Sequence, residues 1–198
     1  MWELFRRELQ YRVTLSMEQN DEELYRQMRR GNRRALAELY QRREPALYRY
    51  ALHMSGSRQI AEEVSHEVFL RLIGPDMHFD SRRGPLEAYL YGVARNLIRV
   101  TRRDRLVEQT GEQAGEHDIL GDLIRNETTT ALYAALRALP DPYRDAVILC
   151  DLEERSYEDA ARLMGCPVGT IRSRVHRARV LLAARLRPLA LSSGMAAR

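Results

Sequence analysis

Apolar residues recur along this chain at spacings of three and four, and no convincing run shows the strict alternation of a strand. Leu24, Met28, Leu36, Leu39 and Tyr40 suit helix faces broken near Gly31 and Asn32. Pro45 marks a second turn or helix start, followed by Ala46, Leu47, Tyr50, Ala51 and Met54 and closed by Ser55, Gly56 and Ser57. Ile60, Ala61, Val64, Val68 and Leu72 form an amphipathic stripe that Gly74 and Pro75 end. A polar loop over 78–85 precedes a further helix over 86–103, with Leu90, Val93, Ala94 and Leu97 inward. Residues 106–127 are polar, with Gly111, Gly115 and Gly121, and read as a flexible linker or loosely ordered chain. Helical spacing returns over 128–139 with Leu132, Leu136 and Leu139. Asp141 before Pro142 predicts an N-cap followed by proline at the first helical position. The helix it opens carries Ala146, Val147, Leu149, Cys150 and Leu152.

Composition narrows the class. The 198 residues, 30% charged and 44% hydrophobic, suit one ordinary domain or two small ones. No apolar run approaches the roughly 20 residues that span a bilayer. The first twenty residues carry Glu3, Glu8 and several arginines and do not read as a signal peptide, so a cytoplasmic protein without membrane insertion is expected. Cys150 and Cys166 are too few for a disulfide framework and form no CxxC.

Charge is more telling. Net charge is +4, and all 32 basic residues are arginine. Codon usage in a GC-rich genome accounts for the missing lysine but not for where the charge lies. Arg95, Arg99, Arg102, Arg103 and Arg105 crowd one segment against Asp104 alone. Arg172, Arg174, Arg177, Arg179, Arg185 and Arg187 crowd another that holds no acid. Between them lie Glu108, Glu112, Glu116, Asp118, Asp122 and Glu127 against Arg125. Two basic patches separated by an acidic connector point to two nucleic-acid contacts on two modules. The five histidines (53, 66, 78, 117 and 176) are scattered, and no clustered carboxylates suggest a nuclease. No metal, cofactor or catalytic residue is expected.

The C-terminal patch has the stronger motif. Ser156 to Asp159 reads as a capping box, with Asp159 a weaker variant of the usual Glu or Gln. The helix after it buries Ala160, Leu163 and Met164 and stops at Gly165, and Cys166-Pro167 opens another. Helix, short turn with glycine, helix is the helix-turn-helix signature. Ala161 suits a close crossing, and Ile171, Val175, Ala178 and Leu182 form the buried stripe. Arg172, Ser173, His176, Arg177 and Arg179 remain outward, near the end that enters a major groove. Thr170 and free backbone N–H groups near Gly169 suit a phosphate.

Residues 139–186, and above all GTIRSRVHRAR at 169–179, resemble region 4 of the extracytoplasmic-function sigma factors, the small bacterial sigma-70-type factors. The resemblance implies that Thr170, Arg172, Ser173, Arg174, His176, Arg177 and Arg179 meet the minus-thirty-five element. A second block, 22–103, resembles region 2 of the same family. AEEVSHEVFLRL at 61–72 resembles its region 2.2 helix, which implies core polymerase contact by Glu63, His66, Glu67 and Arg71. His66 stands where that family usually has Gln. LEAYLYGVARNLIRVTRR at 86–103 resembles regions 2.3 and 2.4. With the loop before it, this implies that Phe79, Asp80, Arg95, Asn96, Arg99, Arg102 and Arg103 hold the single-stranded minus-ten element. Tyr89 replaces a common Trp and reads as core before stacking platform, Val100 replaces a common Asp, and Tyr91 stays open between the two roles.

The resulting expectation is an all-α protein of two small helical domains joined by a flexible acidic linker. Residues 1–20 form an extension of unknown role, 21–105 a sigma region 2 domain, 106–127 the linker, 128–190 a sigma region 4 domain with the helix-turn-helix, and 191–198 a tail. Implied partners are core RNA polymerase, promoter DNA and an anti-sigma factor. The acidic linker reads either as a solvated tether or, since the family's linker threads into polymerase channels, as a polyanion mimic there. The rival from another class is a stand-alone helix-turn-helix regulator, which leaves the first block unused.

Overall fold

A computed structural model describes residues 20–75, 79–108 and 127–195. The extension 1–19, residues 76–78, the bulk of the acidic connector at 109–126 and residues 196–198 lie outside that description. Every regular element among the described residues is helical.

Among the described residues, the N-terminal half has the α-helices α1 Asp21–Arg29, α2 Arg33–Ser55, α3 Arg58–Ile73 and α4 Leu86–Glu108. Each of the first three starts on a side chain that accepts an orphan N–H. The Asn20 carbonyl oxygen takes Glu23 N–H at 2.8 Å, Asn32 takes Arg34 and Ala35, and Ser57 Oγ takes Ile60 at 3.3 Å. Arg29 closes the far side of the bundle by donating to the carbonyls of Ile73 and Gly74 at the end of α3. Asp21, buried, binds Arg42 at 3.2 Å and Arg43 at 2.5 Å, tying α1 to α2.

The expected break at Pro45 does not occur: α2 runs through it to Ser55. A proline inside a helix costs about 3 kcal/mol. Here Leu39 lies before it and Leu47, Tyr50, Ala51 and Met54 after it, all buried in one core, so packing on both sides outweighs the lost bond. The break comes at Gly56, which takes the left-handed conformation with φ +68° and donates to the Leu52 carbonyl at 2.7 Å.

The C-terminal half holds α5 Glu127–Arg137, α6 Asp141–Val147, a π-helical turn Ile148–Leu152, α7 Tyr157–Met164 and α8 Val168–Met195. The expected cap at Asp141 is also corrected. Pro140 holds the cap position without a side-chain bond, and Asp141 is the first helical residue. Its carboxylate is drawn away to Arg102 at 2.8 Å and Arg144 at 3.4 Å. Buried Arg144 satisfies the end of α5 instead, donating to the carbonyls of Leu136, Arg137 and Leu139 at 2.5–2.8 Å.

The two halves pack on one another. A single apolar cluster runs from Tyr50, Leu90, Tyr91, Ala94 and Ile98 into Ile148, Leu149, Ala160, Leu163 and Ile171. A smaller cluster of Leu136, Leu139, Val147 and Ala178 fills the C-terminal half. Between these two helical domains α4 lies against α7, and α2 against the π-helical turn.

Candidate nucleic-acid interface

The helix-turn-helix is built as its sequence pattern predicts. Ser156 Oγ accepts from Asp159 N–H at 3.0 Å and donates to the Asp159 carboxylate at 2.7 Å. Gly165 ends α7 at φ +60°, and Cys166 N–H closes back on the Ala161 carbonyl at 3.1 Å. Ile171, Val175 and Ala178 are buried along α8, with Leu182 half-buried beyond them. The opposite face presents Arg172, Ser173, His176, Arg177 and Arg179 to solvent. These do not stand alike. Arg179 is held bidentate by Asp151 at 2.7 and 2.9 Å, and Arg177 donates to the Tyr143 hydroxyl at 3.2 Å. Ser173 Oγ bonds the Thr170 carbonyl within its own helix, and Thr170 is half-buried. Arg174, half-buried, turns toward the other half of the molecule. It donates to Cys166 Sγ at 3.8 Å and lines a cleft of about 200 Å³ with Arg95, Arg99 and Arg102.

On α4 the sequence-selected residues divide into two groups. Asn96, Arg99 and Arg103 are exposed. Arg95 and Arg102 are engaged: Arg95 with Asp145 of α6 and the Leu163 carbonyl, Arg102 with Asp141. Asp145 is buried and also accepts from the Tyr50 hydroxyl at 2.8 Å. Burial, reinforced by that carboxylate, holds the Tyr50 phenol well above its usual range.

The loop before α4 is ordered by its own polar groups. Asp80 accepts from Arg82 N–H at 3.0 Å, opening a 3-10 turn over Ser81–Arg83, and binds the Arg82 guanidinium at 2.9 Å. Hydrogen bonds from Arg82 hold the Asp80 carboxyl below the usual carboxylate range. The Phe79 ring stands edge-on to Tyr25 at 5.4 Å and tilted against Tyr89 at 5.6 Å. Phe79, Asp80, Tyr89 and Arg95 form one wall of a cavity of about 330 Å³, and Arg162, Leu163, Met164 and Gly165 form the other. Tyr89 is half-buried and lines this cavity, whereas Tyr91 is fully buried and belongs to the core.

The α3 face carries Glu63 and His66 in the open, with Glu67 paired to Arg71 at 2.7 Å and Glu63 bonded by Gln59 at 2.8 Å. Beside them Leu70 is 63% and Ile73 47% exposed. With Tyr40, Phe69 and His66 they line an apolar groove of about 450 Å³. Sequence reading passed over this groove. Its signal was Leu70, an apolar residue outside the buried stripe. The carboxylate of Asp145 was passed over too, and Asp141 was read only as a helix cap, since no local pattern marks either as an arginine partner.

A basic helix-turn-helix face, beside a second helical module that carries its own arginine row, defines a two-module nucleic-acid-binding protein. Residues 39–106 match Sigma-70 region 2, and residues 129–182 match Sigma-70, region 4. The chain is 31% identical over 189 residues to the RNA polymerase sigma-H factor of Pseudomonas aeruginosa, covering 87% of this chain and 96% of that protein. It is 35% identical over 145 residues to the ECF RNA polymerase sigma factor EcfG of Rhodopseudomonas palustris, covering 72% and 80%. It is also 32% identical to the sigma factor SigE of Mycolicibacterium smegmatis, where it spans 58% of the relative's length. Among solved structures, the sigma factor RpoE of Bartonella quintana, in complex with the anti-sigma factor NepR, is similar at TM-score 0.52 and 30% identity, over 73% of this chain and 91% of that one. CnrH, in complex with the cytosolic domain of CnrY, shares the fold at TM-score 0.61 and 23% identity, over 85% and 97%. The chain belongs to the extracytoplasmic-function sigma factors of the sigma-70 family. Among the described residues no helix is long and apolar enough to cross a membrane.

Proposed function

We propose that the chain binds core RNA polymerase and directs it to a subset of promoters, each face described above having a separate role. The observation that carries this reading is the exposed basic face of α8, presented by a capped helix-turn-helix, opposite a buried apolar stripe. Arg172, His176 and Arg177 read duplex DNA at the minus-thirty-five element. Arginine offers a bidentate fork to guanine and phosphate alike. Thr170, Ser173, Arg174 and Arg179 set register on the backbone. On the other module, Asn96, Arg99 and Arg103 lie along the exposed side of α4 and take the single strand of the minus-ten element, together with Arg95 and Arg102. The Phe79, Asp80 and Tyr89 cavity holds an unstacked base. An aromatic wall, a carboxylate for a base edge and a basic rim are the groups such capture needs.

Glu63, His66, Glu67 and Arg71, with the apolar groove beside them, form the polymerase-docking face. Residues 21–105 and 128–190 are the two functional units. The chemistry of phosphodiester formation belongs to the polymerase. An anti-sigma factor is a further partner, a reading supported by the similarity to a sigma factor crystallised with one.

Run-off transcription with core polymerase on genomic fragments tests the whole reading. Discrete transcripts that depend on the added chain are expected. Tight, sequence-specific duplex binding by the free chain, with no effect on polymerase, would instead establish a stand-alone regulator. Replacing Asn96 and Arg99 by Ala should weaken the permanganate footprint of the melted bubble more than initial duplex binding. An unchanged footprint would remove α4 from strand capture.

A further inference from the structure

The groove of about 450 Å³ between α2 and α3 leaves apolar side chains open to water. Buried Phe69 underlies it, its ring centroid 4.7 Å from that of Tyr40, and the exposed side chains of Leu70 and Ile73 flank it. A contiguous apolar surface of this kind marks a contact. Its two ends differ in charge. At one end Arg33 opens α2, with Arg30 and Arg34 exposed beside it, and Arg29 fixes this end to Ile73 by donating to its carbonyl. At the other end lie Gln41 and His66, with exposed Glu62 and Glu63 one turn before His66 on α3. The chain enters the described structure at this second end. Asp21 bonds Arg42 at 3.2 Å, and Arg42 follows Gln41.

We propose that this groove is a docking site for residues 1–19 of the same chain, which lie outside the described residues. The support is in their sequence. Trp2, Phe5, Leu9 and Val13 recur at three, four and four, the anchor spacing of a helix laid into an apolar groove. Lengths agree: Arg33 to Gln41 rise about 12 Å along α2, and Trp2 to Leu9 would rise about 11 Å. Residues 14–19 can extend roughly 20–22 Å, about twice the diameter of a helix, which carries the chain from Asn20 past the side of α2. A segment entering at the Gln41 end brings Arg12 toward Glu63 and Glu3 toward Arg33, so each charge meets its opposite. Trp2 and Phe5 then fall at Leu70 and Ile73. The tether also gives this segment a high effective concentration at its own groove, which a second copy lacks. The groove lies on the face read above as polymerase-docking, so segment and polymerase compete for it; that consequence alone rests on that reading.

Trp2 is the sole tryptophan of the chain, so its fluorescence reports on the groove. In the full chain its emission should lie to the blue of that in urea, and acrylamide should quench it several-fold less. Leu70→Gln with Ile73→Gln, at exposed positions, should move both readings toward the urea values. Val180→Gln, at an exposed apolar position on α8, should move neither. If the groove pair fails to fold, Phe5→Glu with Leu9→Glu releases Trp2 from the segment side. A water-exposed Trp2 in the unsubstituted chain overturns the proposal, as does a buried Trp2 that ignores both pairs. A blue shift lost on dilution overturns it as well, because the segment would then be reaching a second copy. Deleting residues 2–19 reads the consequence. If the covered form holds nine-tenths of the molecules, core polymerase should bind the shortened chain up to about tenfold more tightly. Unchanged polymerase affinity, with Trp2 still released by the groove pair, would support the segment's place in the groove and remove the groove from the docking face.

Discussion

Arg95 on α4 gives its Nε–H to the carboxylate of Asp145 on α6, fifty positions away along the chain. Asp145 is 2% exposed and holds the Tyr50 hydroxyl as well, so three polar groups satisfy one another where the two halves meet. Removing the Asp145 carboxylate takes the buried partner from both Arg95 and the Tyr50 hydroxyl, whereas removing the hydroxyl leaves the Arg95–Asp145 pair in place. Asp145→Ala should therefore destabilise the chain by about 3 kcal/mol, near the lower end for a broken buried pair because Arg95 keeps some contact with water. Tyr50→Phe, which removes one hydrogen bond and keeps the ring, should cost about 1 kcal/mol. Urea unfolding followed by circular dichroism measures both, and equal costs would show that the Arg95 pair adds nothing.

Among the described residues Arg144 is the largest fully buried side chain, and its guanidinium spans three carbonyls at the end of α5 and the Met54 carbonyl of α2. Burial, then the neighbouring charge of Arg102, lower its pKa below that of a free arginine. Arg144→Met keeps much of the volume but orphans those carbonyls. A loss of about 2–4 kcal/mol is expected, from several charged hydrogen bonds partly offset by relief of desolvation. Hydrogen exchange should show the loosening first in α5 and α6.

His53 stacks on Tyr133 across the boundary, with ring centroids 5.9 Å apart. Burial lowers its pKa. The Glu153 carboxylate at 3.7 Å opposes that shift, and Arg49 adds to it. The folded pKa thus lies below the unfolded one, so the unfolded chain binds more protons between the two. Stability from this site is complete above about pH 6.5 and falls as pH drops through the folded pKa. Thermal melts should show a decline below about pH 6.5 that His53→Phe reduces. A decline of equal size in that variant would place the acid sensitivity elsewhere.

On the recognition helix, the arginines differ in what they must give up. Arg172 has room to move on an exposed face, whereas Arg179 already serves Asp151 through two bonds. Arg172→Ala should cost about 1–3 kcal/mol of holoenzyme affinity on promoters that depend on the minus-thirty-five element, leaving core binding intact. Arg179→Ala should cost less, since any DNA contact it makes is offset by the loss of its bond to Asp151. Competition binding on matched promoter fragments ranks the two.

Gly165 sits at φ +60° with open space where a Cβ would fall. Gly165→Ala therefore meets backbone strain alone and should cost about 1 kcal/mol, while Asn there should cost less. A larger loss from Ala in thermal melts would mean that the turn also packs on something.

Much of this molecule was legible before any fold was known, because its information is local. A capped start, an apolar period of three or four and a glycine stop are written within one turn of each helix end, so the helix-turn-helix at 156–179 and its outward arginines could be read directly. The family resemblance extended the same reading to region 2. Two local signals misled. Pro45 lies inside a helix because packing on either side outvoted it, and Asp141 left its cap because Arg102 and Arg144 drew its carboxylate away. Only the tertiary structure decided how the two halves meet. Which arginines of α4 stay free and which are taken by carboxylates depends on residues 39 and 50 positions apart being brought within hydrogen-bond reach. No periodicity along the chain encodes such a pairing, because it is selected by the shape of the apolar surfaces that bring α4 and α6 together.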